Sequence, residues 1–450
     1  MKRSYLSFLF LAFVFFGHAQ FTTGNLVVVR LGNGTTVYPG GSAAPCFLDE
    51  YTTTGTLVQT VAMPVTTSGA NRRFMLNNGL YGGLITLSLD NRYLLLPGFD
   101  AAEFSQPLAS LTAAVAPRIV ARINKNAVVN TTTVTGAYDG ESVESAYSPN
   151  GTDIAVAGSS GNPVVTGTGG IRYVTLGSTS STSVNIANLS NYQLNVFNNQ
   201  LYISCGSSNV SVGVFSGTFP ITAAPTITNL PGLPTTNTTP LGYFMADIDN
   251  TVAGVDVLYI CDGNNGGGPL ANTLTKYSLV AGSWVKQNSI AITSPRGLTG
   301  IVSGSTVTLY ATSATNLYSL VDASGYNANI TASLTTLATA AANTSFKGLA
   351  FAPSINDGVT SSVREEEFLD VSKVFQSSAT NLQVTWTAKK PELLILSIVD
   401  LYGRTVYRSS TKSTAGINER SLHIQSLSKG SYIVRITNGR EQQTHQFIKQ

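Results

Sequence analysis

The chain has 450 residues, of which 43% are hydrophobic and only 11% are charged, and its formal net charge is +3. Residues 21–360 contain 12 basic and 15 acidic residues, and residues 361–450 contain 12 basic and 8 acidic ones. Neither part has the concentrated positive charge that binding to a phosphate backbone requires, so nucleic acid is excluded as an expected partner.

Residues 1–19 predict a secretory signal. A Lys-Arg pair precedes an apolar run at 6–16, and Gly17 and Ala19 form a small-residue cleavage site ahead of Gln20. The apolar run is too short to span a bilayer, and no later segment reaches the length of a transmembrane helix. We therefore expect an exported chain without a transmembrane segment.

Three cysteines, Cys46, Cys205 and Cys261, are far apart and form no CxxC motif. Their odd number and wide spacing indicate neither a disulfide framework nor a zinc site. Cys205 and Cys261 end two similar strands one position out of register, so their side chains should point in opposite directions. We expect three buried free thiols.

Residues 20–356 contain an apolar strand, a turn and a second strand that recur about every 50 residues. The units begin at residues 83, 145, 193, 243, 297 and 347. A period of this length predicts a β-propeller with four-stranded blades. We predict six blades, with seven as the alternative because the first interval spans 62 residues. A pair of β-sandwiches and a parallel β-helix are the alternative folds.

The sixth unit stops after its first strand. Residues 25–31, a largely apolar segment near the mature N-terminus, are predicted to supply the missing partner and so close the ring without exposed sheet edges. Residues 357–370 are polar and include three consecutive glutamates, which is typical of a linker. The alternating strands of residues 371–450 predict a small antiparallel β-sandwich.

The C-terminal segment carries an Asp-Leu-Tyr-Gly-Arg run, a later Leu-x-x-Gly-x-Tyr run and a final apolar strand that ends in Lys-Gln. This succession resembles the type A C-terminal sorting domain of the type IX secretion system. A generic immunoglobulin-like adhesion module is the alternative. The motif positions are Asp400, Gly403, Arg404, Leu427, Gly430, Tyr432 and Lys449.

The resemblance implies export from a Gram-negative bacterium through the periplasm and across the outer membrane. The type IX secretion machinery would be the partner of the C-terminal domain. The protein would then be extracellular or lie on the outer cell surface, and the sequence does not indicate whether it is anchored or released.

The three histidines are His18 in the signal and His423 and His445 in the C-terminal segment, so residues 20–356 contain none. Catalysis by Ser-His-Asp or Cys-His arrangements is therefore excluded there. The commonest side-chain ligand of transition metals is missing as well.

Asp139, Glu141 and Glu144 lie just before the second repeat strand, where propeller loops reach the channel. Two close carboxyl groups are what glycoside hydrolysis requires. A solvated turn is the alternative for this acidic loop.

Two Asx-rich runs flank strands of the fourth unit. Asp247 and Asp249 lie in the first, and Asp262 and Asn264 lie in the second. Carboxylate and amide oxygens at alternate positions could ligate a structural calcium ion, and turns of purely structural importance are the alternative. We expect no other cofactor.

Arg296 and Lys347 each precede Gly-Leu at equivalent places in the fifth and sixth units. They should be neighbours at one mouth of the channel, where they could bind an anionic group such as a sugar acid. A solubilising rim is the alternative. Four aromatic side chains of the repeats could stack on sugar rings, namely Tyr81, Tyr243, Trp284 and Phe346. In strand repeats, however, aromatic residues more often belong to the core.

From these features we expect a secreted or surface-displayed binding protein that recognises a glycan or another surface polymer and is not an enzyme. A polysaccharide hydrolase or lyase that works through carboxylates alone is one alternative. A structural protein of the cell surface or matrix is the other. The contents of the channel distinguish the three.

Overall fold

The computed structural model describes residues 20–159, 168–185, 190–206, 210–217, 225–263, 270–356, 369–388, 391–400, 404–438 and 442–449. The chain divides into two compact units, Met1–Asp357 and Gly358–Gln450, which we call the propeller unit and the C-terminal unit. The predicted signal and residues 357–368 of the predicted linker lie outside the described residues.

The propeller unit is built from 25 strands and one short 3-10 helix, Leu108–Ser110, over its described residues. The strands are β1 (Leu26–Leu31), β2 (Ala43–Tyr51), β3 (Leu57–Ala62), β4 (Met75–Asn77), β5 (Thr86–Leu87), β6 (Tyr93–Phe99), β7 (Arg118–Asn124), β8 (Val129–Val134), β9 (Val143–Tyr147), β10 (Asp153–Gly158), β11 (Ile171–Thr175), β12 (Thr182–Asn185), β13 (Ser190–Phe197), β14 (Gln200–Gly206), β15 (Val212–Phe215), β16 (Ile227–Asn229), β17 (Pro240–Ala246), β18 (Val257–Asp262), β19 (Thr273–Val280), β20 (Ser283–Ala291), β21 (Pro295–Ser303), β22 (Thr306–Ser313), β23 (Asn316–Asp322), β24 (Thr335–Thr339) and β25 (Ser345–Phe351).

These strands form six antiparallel four-stranded blades in the described part of the unit, which confirms the predicted propeller. Counted outward from the channel, blades one to five are β5–β8, β9–β12, β13–β16, β17–β20 and β21–β24, and blade six is β25, β1, β2 and β3. The long first interval holds β7, β8 and the 3-10 helix rather than a seventh blade. Strand β4 pairs with both β2 and β6 and so joins blade six to blade one.

Strand β1 closes the ring. It pairs antiparallel with β25, with Leu26 opposite Phe351 and Val28 opposite Leu349, which confirms the predicted role of residues 25–31. Successive side chains of a strand point to opposite faces: Leu26 and Val28 pack towards blade five, whereas Val27 packs towards blade one. Both faces of β1 are therefore buried, which explains why five of its six residues are apolar.

Each pair of neighbouring blades shares an apolar core, and all three cysteines lie in such cores. Cys46 lies between blades six and one, Cys205 between two and three, and Cys261 between four and five. All three are buried and free, as predicted, and Cys205 and Cys261 face away from each other.

The inner strands approach one another closely where the Gly-Leu pairs occur. A Cβ on Gly297 would lie 2.9 Å from Gly348 Cα, and one on Gly348 would lie 2.6 Å from Gly83 O. Any larger side chain would push the inner strands apart. β21 and β25 each carry a bulge at this point, since two residues oppose one on the neighbouring strand. A bulge changes the direction of a side chain, and here it turns Arg296 and Lys347 towards the channel.

The C-terminal unit is a β-sandwich. Its strands are β26 (Leu369–Ser378), β27 (Asn381–Ala388), β28 (Leu393–Asp400), β29 (Thr405–Lys412), β30 (Gly416–His423), β31 (Gly430–Thr437) and β32 (Gln442–Lys449). One sheet has the order β26-β27-β30 and the other β29-β28-β31-β32. The sheets enclose a core that includes Trp386, Leu396 and Phe447, as the alternating sequence predicted.

Candidate functional site in the propeller channel

A cavity of about 370 Å³ lies at the carboxyl ends of the six inner strands, each of which contributes to its lining. We call this cavity the open mouth. Its aromatic lining residues are Tyr147, Phe197, Phe244 and Phe351, and its polar ones include Ser88, Asn91, Asn195 and Thr299. The rings of Phe197 and Phe244 meet edge to face at 5.7 Å. No charged side chain occurs among the described residues that line the open mouth.

The amino ends of the inner strands bring Arg296 and Lys347 together with Glu144 of β9. We call this group, with Tyr81 and Tyr192, the closed end of the channel. Arg296 is 9% exposed, Lys347 1% and Glu144 2%. The two cations are therefore buried neighbours, and the alternative of a solvent-exposed rim does not describe them.

Residues 78–83, which we call the lid, connect β4 to the inner edge of blade one across the closed end. The Lys347 ammonium donates a hydrogen bond to the carbonyl oxygen of Gly79 in the lid. The Tyr81 ring stacks on that of Tyr192, with ring centroids 5.5 Å apart and planes 15° apart. One end of the channel is thus covered, whereas the other has an accessible cavity.

Burial shifts the pKa of each charged group at the closed end towards neutrality. It raises the pKa of the Glu144 carboxyl to about 8, although the Lys347 ammonium opposes part of that shift. Burial and the Arg296 charge together lower the pKa of Lys347 to about 7. Burial also lowers the pKa of Arg296. The protein therefore keeps three costly buried groups at one place, which is more common at functional sites than elsewhere.

Replacing Glu144 with glutamine is expected to flatten the pH dependence of stability between about pH 5 and 7. The unfolded carboxyl ionises in this range while the folded one stays protonated, so unfolding releases a proton and the free energy of unfolding falls as pH rises. Lys347 begins to lose its proton in the folded state only as pH approaches about 7, so it adds little slope over most of this range. Denaturant unfolding at pH 5 and 7 measures the difference, up to about 1.4 kcal/mol per pH unit. An unchanged slope in Glu144→Gln contradicts this assignment.

The three acids of the loop before β9 are not brought together. Glu144 faces the cations of the closed end, whereas Asp139 Oδ1 accepts the backbone N–H of Ala113 at 2.7 Å. The carboxyl of Glu141 lies near Arg118, which partly offsets the raising of its pKa by burial. The paired-carboxylate hypothesis for this loop therefore has no geometric support.

The two candidate calcium runs lie at opposite ends of one strand pair. Asp247 and Asp249 follow the end of β17, whereas Asp262 is paired with Pro240 at its start; at about 3.3 Å per residue they are roughly 20 Å apart. Asp249 Oδ1 accepts bonds from Thr251 N at 2.9 Å and Oγ1 at 2.7 Å.

Asp262 Oδ2 accepts the backbone N–H of Thr239 at 2.7 Å, and Asn264 lies outside the described residues. Across the described ranges, no three His, Cys, Asp or Glu residues are grouped so that they could bind a metal ion. In each run, an aspartate carboxylate accepts a hydrogen bond from a backbone N–H of a nearby turn, Asp249 from Thr251 and Asp262 from Thr239.

Three of the four aromatic residues singled out in the sequence belong to the core. Tyr243 and Phe346 are fully buried and Trp284 is 4% exposed, whereas Tyr81 lies half-buried in the lid. The aromatic residues of the open mouth were missed. Their common signal is a place near the carboxyl end of an inner strand, and Phe244 directly follows Tyr243.

In the C-terminal unit, Asp400 and Arg404 close the turn between β28 and β29. Asp400 Oδ1 accepts the Arg404 backbone N–H at 2.9 Å, and Oδ2 accepts Nε–H of the same residue at 2.8 Å. Gly403 lies outside the described residues. The Asp400 carboxylate and the Arg404 side chain and backbone therefore hold the two ends of this turn together.

Lys449 and Tyr432 of the sorting motif make hydrogen bonds and a ring contact that hold the last strand, β32, in place. The buried Lys449 ammonium donates to the carbonyl oxygens of Ile424 and Leu427, each at 2.6 Å. The Tyr432 hydroxyl donates to Ser428 O at 2.9 Å, and its ring stacks on Phe447 at 5.6 Å. Gly430 is the first residue of β31.

The sequence of this unit was compared with protein families, and residues 378–450 match the family described as "Secretion system C-terminal sorting domain". The C-terminal unit is a sorting domain. This confirms the resemblance to the type IX sorting domain and indicates export to the cell surface or the extracellular space. No helix among the described residues is long and apolar enough to cross a membrane.

Several solved structures are similar to this chain at a low level. Trypanosoma rangeli sialidase is 10% identical, with 94% of this chain and 82% of that chain covered and a TM-score of 0.39. The GH74 enzyme of Niastella koreensis is 11% identical over 92% of this chain and 73% of that one, with a TM-score of 0.37.

A gluconolactonase of Xanthomonas campestris is 11% identical over 79% of this chain and 98% of that one, with a TM-score of 0.34. Likenesses of this size carry no argument about the activity of this chain. A comparison with curated protein sequences found no match.

Proposed function

We propose that this protein is a secreted, non-enzymatic glycan-binding protein that takes an uncharged sugar unit of a surface or environmental polymer into the open mouth. Its sorting domain delivers it through the type IX machinery of a Gram-negative bacterium, by way of the periplasm, to the outer surface or the medium. The propeller unit then carries out recognition.

The lining of the open mouth is the observation that carries this proposal. A volume of about 370 Å³ lies within the range of roughly 300–1,000 Å³ typical of small-ligand sites. Aromatic walls with a few amide and hydroxyl groups suit a sugar, which has both apolar ring faces and polar edges. The uncharged lining favours a neutral ligand.

The same lining favours binding over hydrolysis. Glycoside hydrolysis requires two carboxyl groups about 5 to 10 Å apart, and the described residues of the open mouth contribute neither. The cavity also distinguishes this proposal from a purely structural role, for which a filled channel is expected.

Replacing Thr299 with tryptophan is expected to abolish sugar binding without unfolding the protein. Thr299 lines the cavity and is half-buried, so a large ring at this position fills the space that the ligand needs. Val302→Trp is the matched control, since Val302 lies on the same strand, is 38% exposed and does not line the cavity.

Calorimetry with oligosaccharides from glucan, xylan, mannan and galactan measures the effect. We expect one of these neutral series to bind wild type and the control equally, and Thr299→Trp at least tenfold more weakly. Equal binding by Thr299→Trp contradicts the site. Release of new reducing ends from any of the four polymers contradicts the non-enzymatic function.

A further inference from the structure

Arg296 is a buried cation with few partners. A guanidinium has five N–H donors, and among the described residues its one hydrogen bond is a long contact of 3.5 Å from Nη1 to Pro295 O. Its Nε–H has no acceptor among those residues. Buried donors in native proteins are nearly always paired, so an Arg at 9% exposure without a firm acceptor requires an explanation.

The neighbouring groups complement Arg296 in charge and in hydrogen bonding. Two basic side chains, Arg296 and Lys347, share the closed end with a single carboxyl group, that of Glu144, so basic groups outnumber acidic ones among the described residues there and an anion would improve the charge balance. Glu144 Oε2 is also buried and has no donor among the described residues. The closed end therefore offers a guanidinium and an ammonium to an anion, and the Oε2 atom of the Glu144 carboxyl to a hydroxyl donor.

We propose that the closed end is a binding site for a hydroxycarboxylate, the combination of groups that a uronic acid presents. The ligand carboxylate lies between Arg296 and Lys347, and a ring hydroxyl donates to Glu144 Oε2. The carboxylate replaces the carbonyl of Gly79 as the acceptor for Lys347, so the lid moves outward on binding. In the lid, Gly82 and Gly83 have φ of +85° and +79°, a backbone conformation that residues with a side chain rarely adopt.

This site lies at the opposite end of the channel from the open mouth, and it is independent of the proposed function. The open mouth has an uncharged lining, whereas the closed end is built from charges. The open mouth is tested with neutral sugars and a Thr299 variant, whereas the closed end is tested with an acidic sugar and Arg296 variants. A negative result at one site therefore leaves the proposal for the other site unaffected.

The test measures thermal unfolding of the full-length protein with increasing D-galacturonate. Two matched compounds separate the parts of the proposed group: D-galactose has the same ring without the carboxylate, and acetate has the carboxylate without the ring. We expect galacturonate to raise the unfolding midpoint with the logarithm of its concentration, as ligands of the native state do. No response to galacturonate, or an equal response to galactose or acetate, overturns the proposal.

Arg296→Met distinguishes a ligand site from a structural role. Removing an unpaired buried charge is expected to raise the unfolding midpoint without ligand and to eliminate the response to galacturonate. Arg92→Met, which removes a surface guanidinium with a side chain 45% exposed, should keep the wild-type response. A lower midpoint in Arg296→Met together with an unchanged galacturonate response shows that Arg296 is structural.

Arg296→Lys provides a second variant with conserved charge. It loses the directed N–H groups of the guanidinium, and we expect galacturonate affinity to fall by roughly tenfold to a hundredfold, the effect of losing one charge-assisted hydrogen bond. Binding of trigalacturonide then shows whether the uronic acid comes from the end of a polysaccharide chain or is a free sugar acid. Binding equal to that of the monomer supports the terminal unit of a chain as ligand, and binding of the monomer alone supports a free sugar acid.

Discussion

Deleting residues 20–31 is expected to prevent the propeller unit from folding. The deletion removes β1 from between β25 and β2 and exposes the edges of both. It also removes six apolar side chains that are at most 3% exposed, those of Phe21, Leu26, Val27, Val28, Val29 and Leu31. At about 1.5–3 kcal/mol for each buried side chain, the loss is on the order of 10 kcal/mol, which is comparable to the whole stability of a typical domain.

Circular dichroism and thermal unfolding of the deletion variant test this expectation. A cooperative transition at the wild-type midpoint contradicts closure of the ring by β1. A pair of point variants measures the same contact in a folded protein. Val28→Thr places a hydroxyl in the apolar seam beside blade five and should cost about 1–3 kcal/mol. Val58 lies on β3, the outer strand of blade six, to which β1 also belongs, and it is 47% exposed. Val58→Thr should therefore cost close to nothing.

Deleting residues 378–450 is expected to keep the protein inside the cell envelope. The deleted residues are those that match the sorting-domain family, and the propeller unit has its own closed ring and its own cores. The truncated protein should therefore be folded but absent from the cell surface and the medium. Cell fractionation with protease treatment of intact cells measures where it is.

The matching gain-of-function experiment joins residues 378–450 to an unrelated periplasmic protein. Export of that fusion by the native host, and not by a host without the secretion machinery, shows that the C-terminal unit is sufficient. Normal amounts of the truncated propeller outside the cell contradict the assignment of the sorting domain.

The propeller could be predicted from sequence because the second strand of each blade is marked twice. Strands such as β6 and β18 are largely apolar and buried on both faces, and they recur at a regular spacing. The closing strand was recognisable as well, since residues 25–31 form the largely apolar strand that the incomplete sixth unit lacks. The outermost strands β16 and β24 have no fully buried residue, so no alternating pattern indicates them.

The site was harder to predict, because it depends on which face of a strand points inward. Tyr243 and Phe244 are adjacent, and a side-chain period of two places one in the core and the other at the open mouth. Composition cannot distinguish the two registers. The sequence suggested that Arg296 and Lys347 are neighbours, but their burial depends on the lid, and Glu144 joins them only because β9 lies across the ring.

The three buried thiols can report how neighbouring blades of the ring separate. Cys46, Cys205 and Cys261 occupy three alternate seams of the six-bladed ring, and burial raises the pKa of Cys46 and of Cys261 far above that of a free thiol. Each sulfur can therefore react only while the two blades beside it separate. Local openings of a native protein differ in free energy from one region to another, and here each cysteine reports on one of them. The rates at which the three thiols are modified give a native-state map of which seams open first.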